Sequence, residues 1–184
     1  TIARLLSSYG VNVPLIQRDY VQGRVHRVTP RTSDELKEKY KEEEDKRNRF
    51  VAQLIDALKS GTPKKLTFIY GVNSSNDRAT SGEHRESFVP IDGQQRLTTL
   101  FLLCWVVKEI VPEVKISEYL MKGLKGFRYM TRPSSSYFCE ALFSKTLKKY
   151  VCSSLSERII AQTWSYKEWL TDPSIQAMLQ MLAE

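Results

Sequence analysis

The most informative stretch of the chain is Asp92-Gly93-Gln94-Gln95-Arg96-Leu97-Thr98-Thr99. It follows an extended segment, Ser87-Phe88-Val89-Pro90-Ile91, and opens an apolar run whose spacing predicts a buried helix over residues 95–111. A strand that turns directly into a buried helix brings the turn to the edge of the core. The polar and glycine residues of this turn therefore need partners, which either the protein or a ligand can supply.

The start of the predicted helix has the chemistry of an anion site, because its first backbone N–H groups lack intrahelical partners and its dipole is positive there. Gly93 lets a phosphate approach the backbone, and Arg96 adds a planar cation suited to phosphate. Asp92 could hold Mg²⁺ or orient a water, and Gln94 and Gln95 can donate to oxygens. An ordinary alternative stays open, in which Asp92 caps the helix, Gly93 makes the turn and Arg96 is a surface residue.

A second candidate segment is Gln17-Arg18-Asp19-Tyr20. Arg18 could contact a second phosphate, and Tyr20 could stack on a base. The alternative is a surface turn with a salt bridge. Both segments are more polar than their apolar flanks, and we therefore predict that Gln17 and Arg18 face the same pocket as residues 92–96.

The order of strand, polar loop, strand and apolar helix predicts an α+β fold with a small mixed sheet. The two predicted strands cover residues 66–70 and 88–91 and form a hairpin, in which Pro90 marks an edge strand or a strand end. Residues 97–110 are expected to lie buried against the sheet. The chain after Lys115 is expected to be mainly helical.

Local signals predict further helices. Thr32 begins a long helix that Gly61 and Pro63 end, and Asp172-Pro173 begins the last helix. Shorter helices are predicted over residues 1–8, 137–150 and 159–169. Residues 9–14 are predicted to form a loop that leads into an extended segment.

Composition limits the class of protein. The chain has 184 residues, 41% of them hydrophobic, and can bury a core without disulfides. Its net charge of +7 favours polyanionic partners. Residues 115–149 are either a phosphate-facing patch or a solvated basic surface, because eight cationic side chains there accompany two acids. The cations are Lys115, Lys122, Lys125, Arg128, Arg132, Lys145, Lys148 and Lys149, and the acids are Glu118 and Glu140.

Other signatures are missing from the sequence. The cysteines and histidines are too few and too widely spaced for a disulfide framework, a zinc site or a histidine cluster, and they fit a reducing cytoplasm. They are Cys104, Cys139, Cys152, His26 and His84. The longest apolar stretch, residues 97–107, is too short to cross a membrane. A P-loop, a nucleophile elbow and an H-E-x-x-H helix are all absent, which excludes a P-loop NTPase.

The sequence resembles the N-terminal domain of GmrSD-type modification-dependent restriction endonucleases. Two stretches carry the resemblance, Val13-Pro14-Leu15-Ile16-Gln17-Arg18-Asp19-Tyr20 and Ile91-Asp92-Gly93-Gln94-Gln95-Arg96-Leu97-Thr98-Thr99-Leu100. Shorter matches lie at residues 68–71, 127–129, 134–140 and 172–175. The resemblance therefore covers essentially the whole chain.

The resemblance implies a ParB/sulfiredoxin-like, nucleotide-handling core over residues 1–112 and a helical extension over residues 113–184. Thr1 stands where an initiator methionine would, and the last apolar pattern runs almost to Glu184. The chain is thus expected to be a piece of a longer protein. The family implies a module that binds and hydrolyses a nucleoside triphosphate in bacterial restriction or anti-phage defence, gating a nuclease whose motif this chain lacks.

The motif and the resemblance together assign site roles. Catalytic roles fall to Asp92, Gln95 and Arg96, with Mg²⁺ on Asp92. Nucleotide binding falls to Gln17, Arg18, Tyr20, Gly93, Gln94 and Thr98. Two alternatives stay open. The chain could be a non-catalytic DNA-binding module that uses residues 115–149, or an interaction scaffold in which the motif only pins the helix to the sheet.

Overall fold

The computed structural model describes residues 2–14, 19–26, 28–65, 68–74, 86–111, 113, 115–130, 132–152 and 154–183. The fold is α+β, as predicted. Its helices are α1 (Ile2–Ser8), α2 (Asp34–Ser60), α3 (Gln94–Ile110), α4 (Glu118–Lys125), α5 (Pro133–Ser144), α6 (Leu155–Ile160), a 3₁₀-helix (Lys167–Thr171) and α7 (Pro173–Met181). Its strands are β1 (Gly10–Val13), β2 (Tyr70–Ser74), β3 (Ser87–Asp92) and β4 (Arg128–Tyr129).

The small mixed sheet has the order β2-β3-β1-β4. Strand β1 lies in its interior and pairs in parallel with β3, through Val11 and Phe88, and with β4, through Val13 and Tyr129. Residues 9–14 were predicted to be a loop, and that prediction was wrong for β1. All four residues of β1 are buried, and an interior parallel strand shows no alternation of polar and apolar residues that would identify it.

Strands β2 and β3 form the predicted antiparallel hairpin. The prediction of a strand over residues 66–70 was wrong in its bounds, because the strand begins at Tyr70 and continues to Ser74, and residues 66 and 67 lie outside the described residues. Phe68 precedes the strand and is 87% exposed. Pro90 lies in an interior strand, but the pairing of β3 with β1 extends only as far as Phe88.

Helix α3 was predicted within one residue, but it is buried along one face and not all round. Its buried apolar residues are Leu97, Phe101, Leu102 and Trp105. Phe101 stacks on Phe127, with 4.6 Å between ring centroids, and contacts Phe143 at 5.1 Å. The C-terminal half of the chain therefore supplies much of the core around α3.

Helix α2 follows its local signals closely. The side chain of Ser33, one residue after the predicted cap Thr32, accepts from the N–H of Leu36, and Gly61 closes the helix with a φ of 63°. Most of its surface is exposed, and the buried residues are Arg47 and Leu54. The described helices include none that is long and apolar enough to cross a membrane.

Two helices in the C-terminal half differ from their predicted bounds. The predicted helix over residues 137–150 is α5, which begins at Pro133, a residue suited to a first helical turn, and ends at Ser144. The backbone of Lys148 instead bonds the side-chain amide of Gln162. The predicted helix over residues 159–169 is split into α6 and the 3₁₀-helix. After α6 the backbone N–H of Gln162 bonds the Ile159 carbonyl, three residues back, and the Gln162 side chain donates to the Arg158 carbonyl. Asp172 caps α7 as expected.

Candidate functional site

The turn between β3 and α3 depends on Gly93. Its φ is 90°, a left-handed conformation that glycine adopts without a steric penalty. A Cβ at this position would lie 2.7 Å from Cγ1 of Ile69. Asp92 is the last residue of β3 and makes no capping bond to α3. The interpretation of Asp92 as a helix cap was therefore wrong.

Arg96 is held in place by acceptors on β3 and on the segment before β2. Its Nη2 donates to the Phe68 carbonyl at 2.7 Å and to Oδ2 of Asp92 at 3.0 Å. The Arg96 side chain is 19% exposed and that of Asp92 is 55% exposed. Arg96 is thus a positioned cation and not a loose surface side chain, and Asp92 is its counter-ion.

Gln95 joins α3 to the loop that follows β1. Its Oε1 accepts from the backbone N–H groups of Val21 at 2.9 Å and Gln22 at 3.2 Å, and its Nε2 donates to the Asp19 carbonyl at 2.9 Å. Three hydrogen bonds between one side-chain amide and one backbone segment fix their relative position. The structure therefore gives Gln95 a positioning role.

Tyr20 and Thr98 were predicted to bind nucleotide, and both are 0% exposed. The hydroxyl of Tyr20 lies 2.9 Å from Oγ1 of Thr99, and burial raises the Tyr20 pKa well above its ordinary value. Thr98 Oγ1 donates to the Gln94 carbonyl at 3.0 Å and lies 2.6 Å from the hydroxyl of Tyr129. Stacking of a base on Tyr20 and contact of a ligand with Thr98 do not fit these positions.

Gln17 and Arg18 lie outside the described residues, so their expected convergence with the motif stays a prediction. The described end of the same segment does reach the motif. Asp19 bonds Gln95 through its backbone, and its carboxylate accepts two bonds from Arg132, at 2.9 and 3.0 Å. A bidentate arginine–carboxylate pair is a strong, directional contact. One cation of the basic segment 115–149 is thereby bound to the protein itself.

A groove of about 380 Å³ opens beside the first turn of α3. It lies between α2, the loop after β1 and α3, and its cations are close to the motif. We call it the basic groove. Its lining residues are Val21, Gln22, Arg24, Glu43, Lys46, Arg47, Gln95 and Arg96.

Arg47 is the unusual member of the basic groove. Its side chain is 5% exposed, and the guanidinium lies 3.4 Å from Oε1 of Glu44 and 3.5 Å from the Arg24 carbonyl. Arginines are seldom buried unless paired, and a buried charge acts through a lower dielectric than a solvated one. Arg47 therefore places a buried, paired guanidinium in the lining of the groove.

Sequence reasoning missed Arg24, Lys46 and Arg47. The alternating charges of α2 predict a solvated helix face, and most of that face is solvated. Nothing in the local pattern shows where α2 meets α3. Among the described residues there is no cluster of three or more histidine, cysteine or acidic side chains that could hold a metal ion.

The chain matches one family model. The model describes the N-terminal domain of GmrSD restriction endonuclease, and the match covers residues 2–184. No curated protein and no solved structure matches the chain.

Proposed function

The chain belongs to the family of GmrSD restriction endonuclease N-terminal domains, and we propose that it is a nucleotide-binding module that uses the basic groove as its binding site. The family is one of restriction-type proteins. In this proposal the bound nucleotide controls a nuclease that resides elsewhere in the protein or on a partner.

The charge of the basic groove carries the proposal. Arg24, Lys46, Arg47 and Arg96 line it together with the carboxylate of Glu43. Three of these cations also pair with carboxylates outside the lining, namely Glu42, Glu44 and Asp92. A polyphosphate can compete for cations that are grouped in a concave site, because its charge is higher than that of a single carboxylate. The volume of about 380 Å³ is in the usual range for small-molecule sites. Gln95 and Arg96 belong to the first turn of α3 and line the groove, so the positive end of the helix dipole lies beside it.

The second part of the proposal is that the bound nucleoside triphosphate carries Mg²⁺ and is hydrolysed. Mg²⁺ prefers one or two carboxylates together with the phosphates of its substrate. Glu43 lines the groove and lies 2.8 Å from Nε2 of His26, and Asp92 pairs with Arg96, which also lines the groove. These residues fit an ion that arrives with a triphosphate. Asp92 would then hold the ion and Arg96 would bind the phosphates, while Gln95 keeps the loop of the groove in place.

A pair of lysines on α2 tests the site. Lys46 lines the basic groove, whereas Lys39 is an exposed residue on the same helix. Calorimetric titration with ATP, GTP and UTP in Mg²⁺ should show Lys46→Met weakening binding about tenfold, the usual effect of a lost charge-assisted phosphate contact. Lys39→Met, which makes the same charge change, should bind as the unaltered chain does. Equal weakening by both variants, or no binding of any of the three nucleotides, would overturn the proposal.

DNA binding through residues 115–149 remains the alternative. It predicts that affinity for a DNA duplex falls steeply with salt, roughly in proportion to the phosphates contacted. Binding of a nucleotide in the groove depends on salt less steeply and on Mg²⁺ more strongly. Titrations at two salt concentrations therefore separate the two functions.

A further inference from the structure

A second cavity, of about 610 Å³, lies between α5 and the segment that leads to α7. It is larger than the basic groove and is built from different elements. Aromatic side chains form much of its lining: Tyr137, Trp164, Tyr166 and Trp169. We call it the aromatic cavity.

The rings of the aromatic cavity are inclined to one another. Tyr166 and Trp169 meet at 74° with their centroids 5.0 Å apart, and Trp164 and Trp169 meet at 58° with 6.3 Å between centroids. These rings contact one another and are not parallel, so they offer no sandwich for a flat base. The cavity that they line instead suits a compact group.

The two tryptophan walls are held in position before any ligand arrives. The indole N–H of Trp164 donates to the Thr146 carbonyl at 3.2 Å. Trp169 is almost completely buried and meets the ring of Phe138 edge to face at 5.4 Å. Little ordering would therefore be required on binding, which favours affinity.

The charge at the aromatic cavity indicates what it would bind. Glu140 and Glu168 line it together with Lys145, so carboxylates outnumber ammonium groups there, in contrast to the chain as a whole. Tyr137, Glu140, Ala141 and Ser144 follow each other at helical spacing and present one stripe of α5 to the cavity. Aromatic faces and carboxylates both attract cationic ligands, because both stabilise positive charge.

We propose that the aromatic cavity binds a compact organic cation of the alkylated-ammonium class. This site goes beyond the nucleotide function of the basic groove and does not depend on it. The cation could be a free small molecule or the side chain of a methylated lysine. Choline and N-acetyl-trimethyllysine methylamide are suitable probes for these two sources.

The chain contains three tryptophans, which allow a direct test by nuclear magnetic resonance. Titration with each probe should produce saturable shifts of the indole N–H signals of Trp164 and Trp169. The indole N–H of Trp105 donates to Leu142 in the core and should not move. The probe that binds more tightly identifies the source of the cation. The neutral isostere of choline, 3,3-dimethylbutan-1-ol, should bind about tenfold more weakly, since it keeps the shape but lacks the charge.

Tyr166 provides matched variants because it is largely exposed and its replacement should leave the fold intact. Tyr166→Phe keeps the aromatic face and should bind choline within about twofold of the unaltered chain, whereas Tyr166→Leu should lose roughly fivefold or more. Glu168→Gln should also weaken the binding of choline but not of the isostere. Equal binding of choline and its isostere, shifts that do not saturate, or a folded Tyr166→Leu variant that binds normally would overturn the proposal.

Discussion

Gln95 and Arg96 are neighbours in sequence, but their side chains perform different tasks. Gln95 bonds backbone atoms that lie 73 to 76 residues earlier in the chain, and Arg96 lines the basic groove while bonding Phe68 and Asp92. At the scale of single residues, Gln95 therefore holds the loop after β1 in position, and Arg96 supplies a cation for the ligand.

The structural role of Gln95 leads to a prediction about stability. Gln95→Ala removes three hydrogen bonds to half-buried backbone groups, and we expect the free energy of unfolding to fall by about 2 kcal/mol. Nucleotide affinity should fall as well, because Gln95 no longer holds the loop that carries Gln22 and Arg24. Urea unfolding and calorimetry measure the two effects. Gln53→Ala, at an exposed position of α2, is the matched control and should change neither quantity.

Arg96 and Asp92 can be separated by their effect on magnesium. Arg96→Ala should weaken binding of a nucleoside triphosphate tenfold or more and cost only about 1 kcal/mol of stability, since the lost partners are within reach of water. Asp92→Asn keeps the shape of the side chain and removes its charge. If Asp92 serves Mg²⁺, this variant should lose Mg²⁺-dependent binding while its melting temperature changes little. Unaltered affinity in both variants would make the motif purely structural.

The periodicity of α3 indicates which side chains of the motif face the core. Gln94, Thr98, Phe101 and Trp105 recur three or four residues apart and share the core-facing stripe, so the burial of Thr98 was predictable. The position of Tyr20 was not predictable in this way. Its burial depends on Thr99 and Ser174, which are distant in sequence.

At the scale of elements, helix ends that carry capping residues were predicted better than the uncapped end of α5 and better than the bounds of β1 and β2. The caps of α2 and α7 are local side-chain chemistry, and the sequence shows them directly. The bounds of β1 and β2 depend on the partner strands, and no local pattern specifies a partner. The basic groove was missed for the same reason, because it forms only where α2 meets α3 and the loop after β1.

Two glycines with positive φ allow a matched test of the turn before α3. Gly93 and Gly61 both have left-handed backbones, but a Cβ at Gly93 would overlap Ile69, whereas nothing lies within 4 Å of a Cβ at Gly61. Gly61→Ala should cost about 1 kcal/mol, the conformational penalty alone. Gly93→Ala should cost at least about 1 kcal/mol more, owing to the overlap. Thermal and urea unfolding compare the two variants, and equal losses would show that the turn before α3 is not tightly packed.

At the scale of the whole molecule, two buried tyrosines make the free energy of unfolding decrease at alkaline pH. Burial raises the pKa of Tyr20 and of Tyr129 above the ordinary value of about 10. The unfolded chain therefore releases these protons first as the pH rises. Stability from the two groups is fully present below about pH 10 and is lost above it, by up to about 1.4 kcal/mol per pH unit for each tyrosine.

Urea unfolding between pH 8 and pH 11 checks this dependence. Burial also raises the pKa of Cys104 and Cys139, so the free energy of unfolding should begin to decline near pH 9 and should decline more steeply above about pH 10, where the phenols of the unfolded chain ionise. Tyr129→Phe removes one of the two phenols, while Thr98 keeps its bond to the Gln94 carbonyl. The variant should show a shallower decline than the unaltered chain. An identical slope would mean that Tyr129 does not contribute.

The bond between the N–H of Tyr20 and the hydroxyl of Ser174 joins residues that are 154 positions apart. Ribosomes add about 5–20 residues per second, so roughly 8–30 s pass between the synthesis of the two partners. Strand β1 must also wait for β4 before it is paired on both sides. Val11 stays without its partner strand until Phe88 has been made, and Val13 until Tyr129 has been made. The first strand of the nascent chain is therefore an early and lasting target for any chaperone that binds short apolar segments.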